Sequence, residues 1–306
     1  METVLEVKNL VKNYGDFLAV DDISFSVERG KIVGFLGPNG AGKTTTIQVL
    51  LGTTLANGGT ISYFGQDFST HREACLQRIN AASAFNTLMG KISVWENLYV
   101  FAELYEVGNP KIKIQSLLEQ FEITDLRDKL YKDLSSGQKT RVNICRALLN
   151  DPELLLMDEP TASLDPDIAD KTLTLIEQLR RDRNLSILYT SHNMNEITRI
   201  CDEVIFLDHG KIVAHDTPQN LTKRISSATL RISFDARTAA FDAYLKDNNL
   251  AATFPEQNTV SILSHETGIP GMLFDLSKTG IWITDLEIAK PTLEDVFLQI
   301  ARKDAL

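Results

Sequence analysis

The run GPNGAGKTTT, residues 37–46, puts together small residues, one cation and hydroxyls in the order a phosphate binder needs. Gly37, four residues, then Gly42, Lys43 and Thr44 match the spacing G-x-x-x-x-G-K-[ST]. Glycines allow backbone N–H groups to approach phosphate oxygens. Lys43 then reaches the β- and γ-phosphates, and Thr44 offers a hydroxyl to Mg²⁺. The expected nucleotide cradle is Gly37, Pro38, Asn39, Gly40, Ala41, Gly42, Lys43, Thr44 and Thr45. A second element, ELLLMDEP, ends in two adjacent carboxylates, which face different ways at a strand end. Asp158 is expected to hold Mg²⁺ through water, and Glu159 to act as general base on the attacking water. A third run, LSILYTSH, delivers His192 to another strand end, where its imidazole is placed to contact the γ-phosphate. The catalytic set is thus Glu159, His192 and Lys43. His71, His209, His215 and His265 have no comparable placement and read as structural or solvated.

These groups need elements that bring them together. KIVGFLG reads as a buried strand running into the glycine turn, and IQVLLG as a helix closed by Gly52. The start of that helix directs partial positive charge at the phosphates. Leu154 to Met157 is apolar on both faces, as a central parallel strand must be. Upstream, ISFSV alternates Ile23, Phe25 and Val27 with serines, the pattern of a half-exposed antiparallel strand. Between Ile92 and Lys132 the pattern turns helical, opening on the capping box Ser93 and Glu96.

The chain has 306 residues, more than one compact core usually needs, so a large domain with a smaller companion is expected. Its 43% hydrophobic content supplies a core, yet no apolar run approaches the roughly 18 residues of a membrane span. METVLEVKNL lacks the features of a signal peptide, and Cys75, Cys145 and Cys201 lack metal-like spacing, so a cytoplasmic location is expected. A net charge of −10 argues against a general grip on nucleic acid or anionic lipid. Membrane attachment would therefore come through a specific partner.

Nucleotide hydrolysis leaves the machine open, because many P-loop proteins share these parts. LSSGQ (Leu134, Ser135, Ser136, Gly137 and Gln138) narrows it. It holds no strong acid, base or metal ligand, but its Ser135 hydroxyl, its backbone N–H groups and the start of the helix KTRVNICRALLN can face an anion. Ser163, Leu164 and Asp165 follow the second carboxylate element. The order of these motifs over residues 1 to about 225 resembles the ATP-binding cassette (ABC) ATPases. The resemblance implies an α/β P-loop NTPase fold with an antiparallel β subdomain and a helical subdomain near residues 92–140. It implies ATP and Mg²⁺ as ligands. It also implies a dimer in which Ser135, Ser136, Gly137, Gln138 and Asp165 of one copy close on ATP held by the other. Tyr14 would stack on adenine, and the cleft beside the helical subdomain would receive a transmembrane permease subunit. The signature is usually LSGGQ, so Ser136 replaces a glycine. Ala84 stands where the family usually has a glutamine that reaches Mg²⁺ and the attacking water, with Asn86 nearby as a substitute.

From Thr229 the pattern reads strand, helix, strand, strand, helix, strand, the order of a small α+β ferredoxin-like domain, here assigned to 226–306. A final helix is capped by Thr292 and Asp295. An appendage ending in PTLEDVF resembles those of ABC ATPases that serve exporters of drugs, polysaccharides or lipids, and a regulatory or dimer-stabilising role is expected for it. The reading is the ATP-hydrolysing subunit of an ABC exporter, working as a homodimer at the inner face of the membrane. The rivals are a soluble ABC ATPase acting on nucleic acid or ribosomes, and a nucleotide switch with little turnover. Lys43 to Ser135 is too short for an inserted coiled coil, there is one cassette, and a pure switch does not need Glu159 and His192 together.

Overall fold

The computed structural model describes residues 2–83, 88–162, 164–225 and 227–303. It divides into two compact units, Met1–Pro218 and Gln219–Leu306.

The first unit is built on a six-stranded sheet whose order is Lys211–Asp216, Glu203–Asp208, Ile32–Leu36, Ser186–Thr190, Leu154–Asp158, Ile79–Ser83. All neighbours are parallel except the first pair. The strands Ile32–Leu36 and Ser186–Thr190 are buried along their whole length, and Leu154–Asp158 is buried up to its last residue. Helices must cover both faces of such a sheet, which is why these segments are continuously apolar rather than alternating. A second, antiparallel sheet runs in the order Phe17–Glu28, Thr3–Tyr14, Gly58–Tyr63, Gln66–Asp67. Ile23, Phe25 and Val27 are buried there while Ser24 and Ser26 are exposed, as the alternation requires. The core that these two sheets share includes Val7, Leu10, Phe25, Phe35, Tyr63 and Leu156. The rings of Phe25 and Phe35 lie 4.8 Å apart, and the buried Tyr63 hydroxyl donates to the Leu50 carbonyl at 2.7 Å.

The helix after the glycine run spans Lys43–Leu50 and closes through Gly52 at φ 67°, a left-handed conformation that glycine adopts without a Cβ penalty. Helices Val94–Leu104, Pro110–Gln120 and Ser136–Ala147 pack on one another, and the last also packs on the edge strand Ile79–Ser83. The first begins with the reciprocal Ser93–Glu96 capping box.

The second unit holds a four-stranded antiparallel sheet in the order Ala251–Glu256, Thr259–His265, Ser227–Phe234, Ile283–Ala289. Helices Ala239–Asp247 and Ile269–Ser277 fill its two crossovers, so the chain order is β-α-β-β-α-β. Leu230, Ile232, Phe234, Phe241, Val260, Ile262 and Leu276 form its own core. The last helix, Leu293–Lys303, is entered through Thr292, whose hydroxyl accepts the Asp295 N–H at 3.2 Å while its backbone N–H donates to the Asp295 carboxylate at 2.8 Å.

Candidate active site

Parallel strands end at one edge of a sheet, so residues far apart in sequence meet there. The register places Asp158 beside Thr190, and Thr190 beside Phe35 just before the glycine run. The run itself is held tightly. A Cβ on Gly37 would lie 2.2 Å from the Leu207 carbonyl oxygen, and one on Gly42, at φ 101°, would lie 2.4 Å from that of Ala19. No side chain fits at either place, which is the physical reason for glycine at both ends of the spacing.

Lys43 is 6% exposed, and its Nζ donates to the carbonyl oxygens of Gly37 at 2.7 Å and Pro38 at 3.1 Å. Burial pushes its pKa below the usual lysine value, opposed by the nearby Glu159 and Asp158 carboxylates. The adjacent Thr44 hydroxyl donates to Asp158 Oδ2 at 3.2 Å. Asp158 Oδ1 accepts the Thr190 hydroxyl at 2.7 Å. A hydroxyl and a carboxylate oxygen therefore meet beside the cradle, a hard oxygen pair of the kind that holds Mg²⁺ together with substrate phosphates. Among the described residues no group of three or more His, Cys, Asp or Glu forms a metal cage.

Glu159 has φ 48°, a left-handed conformation that costs a non-glycine residue about 1–3 kcal/mol. Its N–H is bonded to both the carbonyl and the hydroxyl of Thr190, at 3.1 and 3.0 Å, which holds that turn in place. The turn is what separates the two carboxylates: Asp158 ends the strand toward Thr44, and Glu159 swings away toward His192. His192 Nδ1 lies 3.2 Å from Glu159 Oε2. The Glu159 side chain is only 17% exposed, whereas that of His192 is 62% exposed and open to an incoming ligand. The remaining histidines pair locally elsewhere, His215 with Glu203 and His209 with Asp208, for example.

Sequence reasoning missed Thr190. It is fully buried, its hydroxyl holds the Asp158 carboxylate and the Glu159 backbone N–H, and its only signal was a hydroxyl at the end of a largely apolar strand.

At LSSGQ, Ser135 is the N-cap of helix Ser136–Ala147 and forms a capping box with Gln138. The Ser135 N–H donates to Gln138 Oε1 at 3.0 Å, and the Ser135 hydroxyl accepts the Gln138 N–H at 3.4 Å. The Gln138 amide oxygen is thereby occupied, while the Ser135 hydroxyl keeps its own proton for a further acceptor. Ser135 and Ser136 are exposed, but Gly137 is buried, and a Cβ there would lie 2.6 Å from Ile168 Cγ2. That close approach to helix Pro166–Arg183 requires the glycine. Asp165 is the N-cap residue of that same helix. Tyr14, at the end of its strand, is 48% exposed, with Lys12 Nζ 4.8 Å from its ring centre. Ala84, Asn86 and Ser163 lie outside the described residues.

The chain was compared with known proteins. The ABC transporter family pattern matches residues 20–162. Linearmycin resistance ATP-binding protein LnrL of Bacillus subtilis is 30% identical, covering 97% of this chain and 98% of that protein. Bacitracin transport ATP-binding protein BcrA of Bacillus licheniformis is 32% identical, covering 98% of each. Nod factor export ATP-binding protein I of Ralstonia nicotianae is 37% identical over 71% of this chain and 68% of its own. Among solved structures, cbiO1 of Clostridium perfringens, part of the ABC transporter complex cbiONQ, is 26% identical with a TM-score of 0.66, covering 73% of this chain and 92% of that one. The fold and site thus define a P-loop ATPase of the ABC type. The chain belongs to the ABC transporter ATP-binding family, as an ATP-hydrolysing subunit of exporter type. Subunits of this family work with membrane permease subunits, typically as dimers. No helix among the described residues is long and apolar enough to cross a membrane.

Proposed function

We propose that ATP is bound by residues 37–45 with its adenine on Tyr14, and that Glu159 is the general base of hydrolysis. Water attacks the γ-phosphorus, its proton passes to the Glu159 carboxylate, and the bond from the γ-phosphorus to the ADP oxygen breaks. His192, hydrogen-bonded to Glu159 through Nδ1, orients that carboxylate, and its exposed imidazole contacts the γ-phosphate. Lys43 neutralises charge on the β- and γ-phosphates. Thr44 and Asp158 are the residues that would hold Mg²⁺, whose charge would offset that of the phosphate oxygens. The observation that carries the reading is the pair of neighbouring carboxylates sent in opposite directions: one to the Thr44 hydroxyl, the other to an imidazole.

The composite site uses two copies of the chain. Exposed Ser135 and Ser136, the N–H groups at the start of their helix, Gly137 and Gln138 in the same turn, and Asp165 would close on ATP held by the other copy. The partners are a second, identical subunit and a transmembrane permease, with no nucleic acid, in keeping with the net charge of −10. The chain then sits on the cytoplasmic face of the membrane through its permease. We divide it into an ATP-binding domain at 1–225, with a helical subdomain near 92–140, and a C-terminal domain at 226–306. The strand and element order of the latter supports a ferredoxin-like assignment, and we assign it a regulatory or dimer-stabilising role.

Glu159→Gln tests the chemistry. ATP binding should persist while turnover falls by about 10²- to 10⁴-fold, the span of a general base. Unchanged steady-state hydrolysis would remove Glu159 from that role.

A further inference from the structure

Behind the Glu159–His192 pair lies a second carboxylate that the reaction does not use. Glu196, in the first turn of helix Met194–Ile200, is 6% exposed. Four side chains converge on it. The Thr161 hydroxyl lies 2.9 and 2.8 Å from its two oxygens, and the Tyr189 and Ser191 hydroxyls each donate to Oε2 at 2.9 Å. The Asn193 amide donates to Oε1 at 3.4 Å. Among the described residues its partners are three hydroxyls and an amide rather than a cation. Arg199 lines the same cavity, but its guanidinium is taken by Asp170 and Glu177.

We propose that Glu196 is the positioning residue that sets His192 against Glu159. The inference rests on the roles given to those two residues above. His192 is flanked by Ser191 and Asn193, and both bond the same carboxylate. Ser191 Oγ accepts the Asn193 N–H at 3.0 Å, so its own proton is left for Glu196. Asn193 Oδ1 accepts the Asn195 N–H at 3.0 Å, which turns its amide protons toward Glu196. On the other side, Thr161 is two residues beyond Glu159, and Tyr189 precedes the Thr190 that holds Glu159 N–H. One buried acceptor therefore clamps both chain segments that carry the reacting pair.

An ionised carboxylate only accepts, with about four lone-pair positions, and here four donors use them. Glutamine in its place keeps the volume but offers one oxygen and two protons. The hydroxyls facing its NH₂ group must then turn away, leaving buried donors unmatched and the two segments free to shift. A displacement on the order of 1 Å between reacting groups costs on the order of 100-fold in rate.

The test uses the full-length chain with steady-state ATP hydrolysis and binding of a non-hydrolysable ATP analogue. Glu196→Gln should lower kcat by about 10- to 100-fold while KM and analogue affinity stay at wild-type values. Introduced into His192→Ala, the same change should cost clearly less than in the wild-type background, because the part of its effect that runs through His192 is already lost. Thr161→Ser, which keeps the hydroxyl, should retain more turnover than Thr161→Val, and this pair decides the matter if Glu196→Gln does not fold. An unchanged kcat, a matching loss of analogue affinity, a full further loss in the His192→Ala background, or equal Thr161 variants would each overturn the assignment. If Glu159→Gln abolishes turnover while Glu196→Gln is silent, only the positioning role fails. If Glu159→Gln is itself silent, the underlying reading fails.

Discussion

Replacing Thr190 with valine keeps its shape and removes one buried hydroxyl. That hydroxyl donates to Asp158 Oδ1 at 2.7 Å and accepts the Glu159 N–H at 3.0 Å. The two losses are unequal. Glu159 N–H retains the Thr190 carbonyl at 3.1 Å, so its share is small. The bond to the carboxylate is charge-assisted and is worth about 1.5–3 kcal/mol, so a destabilisation of about 2 kcal/mol is expected. For a folding unit of some 200 residues this corresponds to a Tm lowered by about 4–8 °C. Asp158 Oδ2 still meets Thr44 at 3.2 Å, so the carboxylate is loosened rather than released, and turnover should fall by about 10-fold with ATP binding kept. Thr190→Ser provides the control. It keeps both hydrogen bonds and loses one buried methyl, worth about 1 kcal/mol, with near-normal turnover. Calorimetry and steady-state hydrolysis on the three proteins measure both effects. If serine proved as inactive as valine, the methyl rather than the hydroxyl would matter, and the argument for Thr190 would collapse.

Other perturbations probe separate parts of the molecule. Lys43→Ala and Ser135→Arg should each be inactive alone, and mixing them should restore part of the hydrolysis through heterodimers that carry one intact site. A Ser135→Arg protein with normal turnover and normal ATP-dependent dimerisation by size exclusion would sink the composite site. Gly137→Ala brings a Cβ to 2.6 Å from Ile168 Cγ2, so urea denaturation should show a loss of about 1–3 kcal/mol, relieved by Ile168→Ala in the same chain. The hydrogen bond from Arg78, joined by Arg29, holds the Glu153 carboxyl below its ordinary pKa of 4.5 despite partial burial. The folded-state value is the lower one, so this stabilisation is present above pH 4.5 and is lost as the pH falls through the folded value. Glu153→Gln should therefore flatten the acid limb of the stability curve, and an unchanged limb would refute that account.

How much of this was legible beforehand follows from the range of each interaction. Local signals carried the strands, since Ile32–Leu36, Leu154–Asp158 and Ser186–Thr190 are apolar runs whose burial on both faces is written in composition. The capping boxes at Ser93 and Thr292 join residues three apart and were readable for the same reason. So was the glycine spacing, because phosphate binding needs backbone amides in one short loop. Types and order of residues thus determined that this chain binds and hydrolyses a nucleotide. The tertiary structure decided the rest. Only the sheet order sets Leu154–Asp158 against Ser186–Thr190, and that register turns Thr190 from one more strand residue into the hydroxyl shared by Asp158 and Glu159. Only the packing of Ser136–Ala147 on Pro166–Arg183 reveals that Gly137 is small because of Ile168. The convergence on Glu196 likewise depends on strands and loops separated by up to 35 residues. Hydrogen-bond partners at that distance follow from where the backbone goes, and no spacing along the chain specifies them.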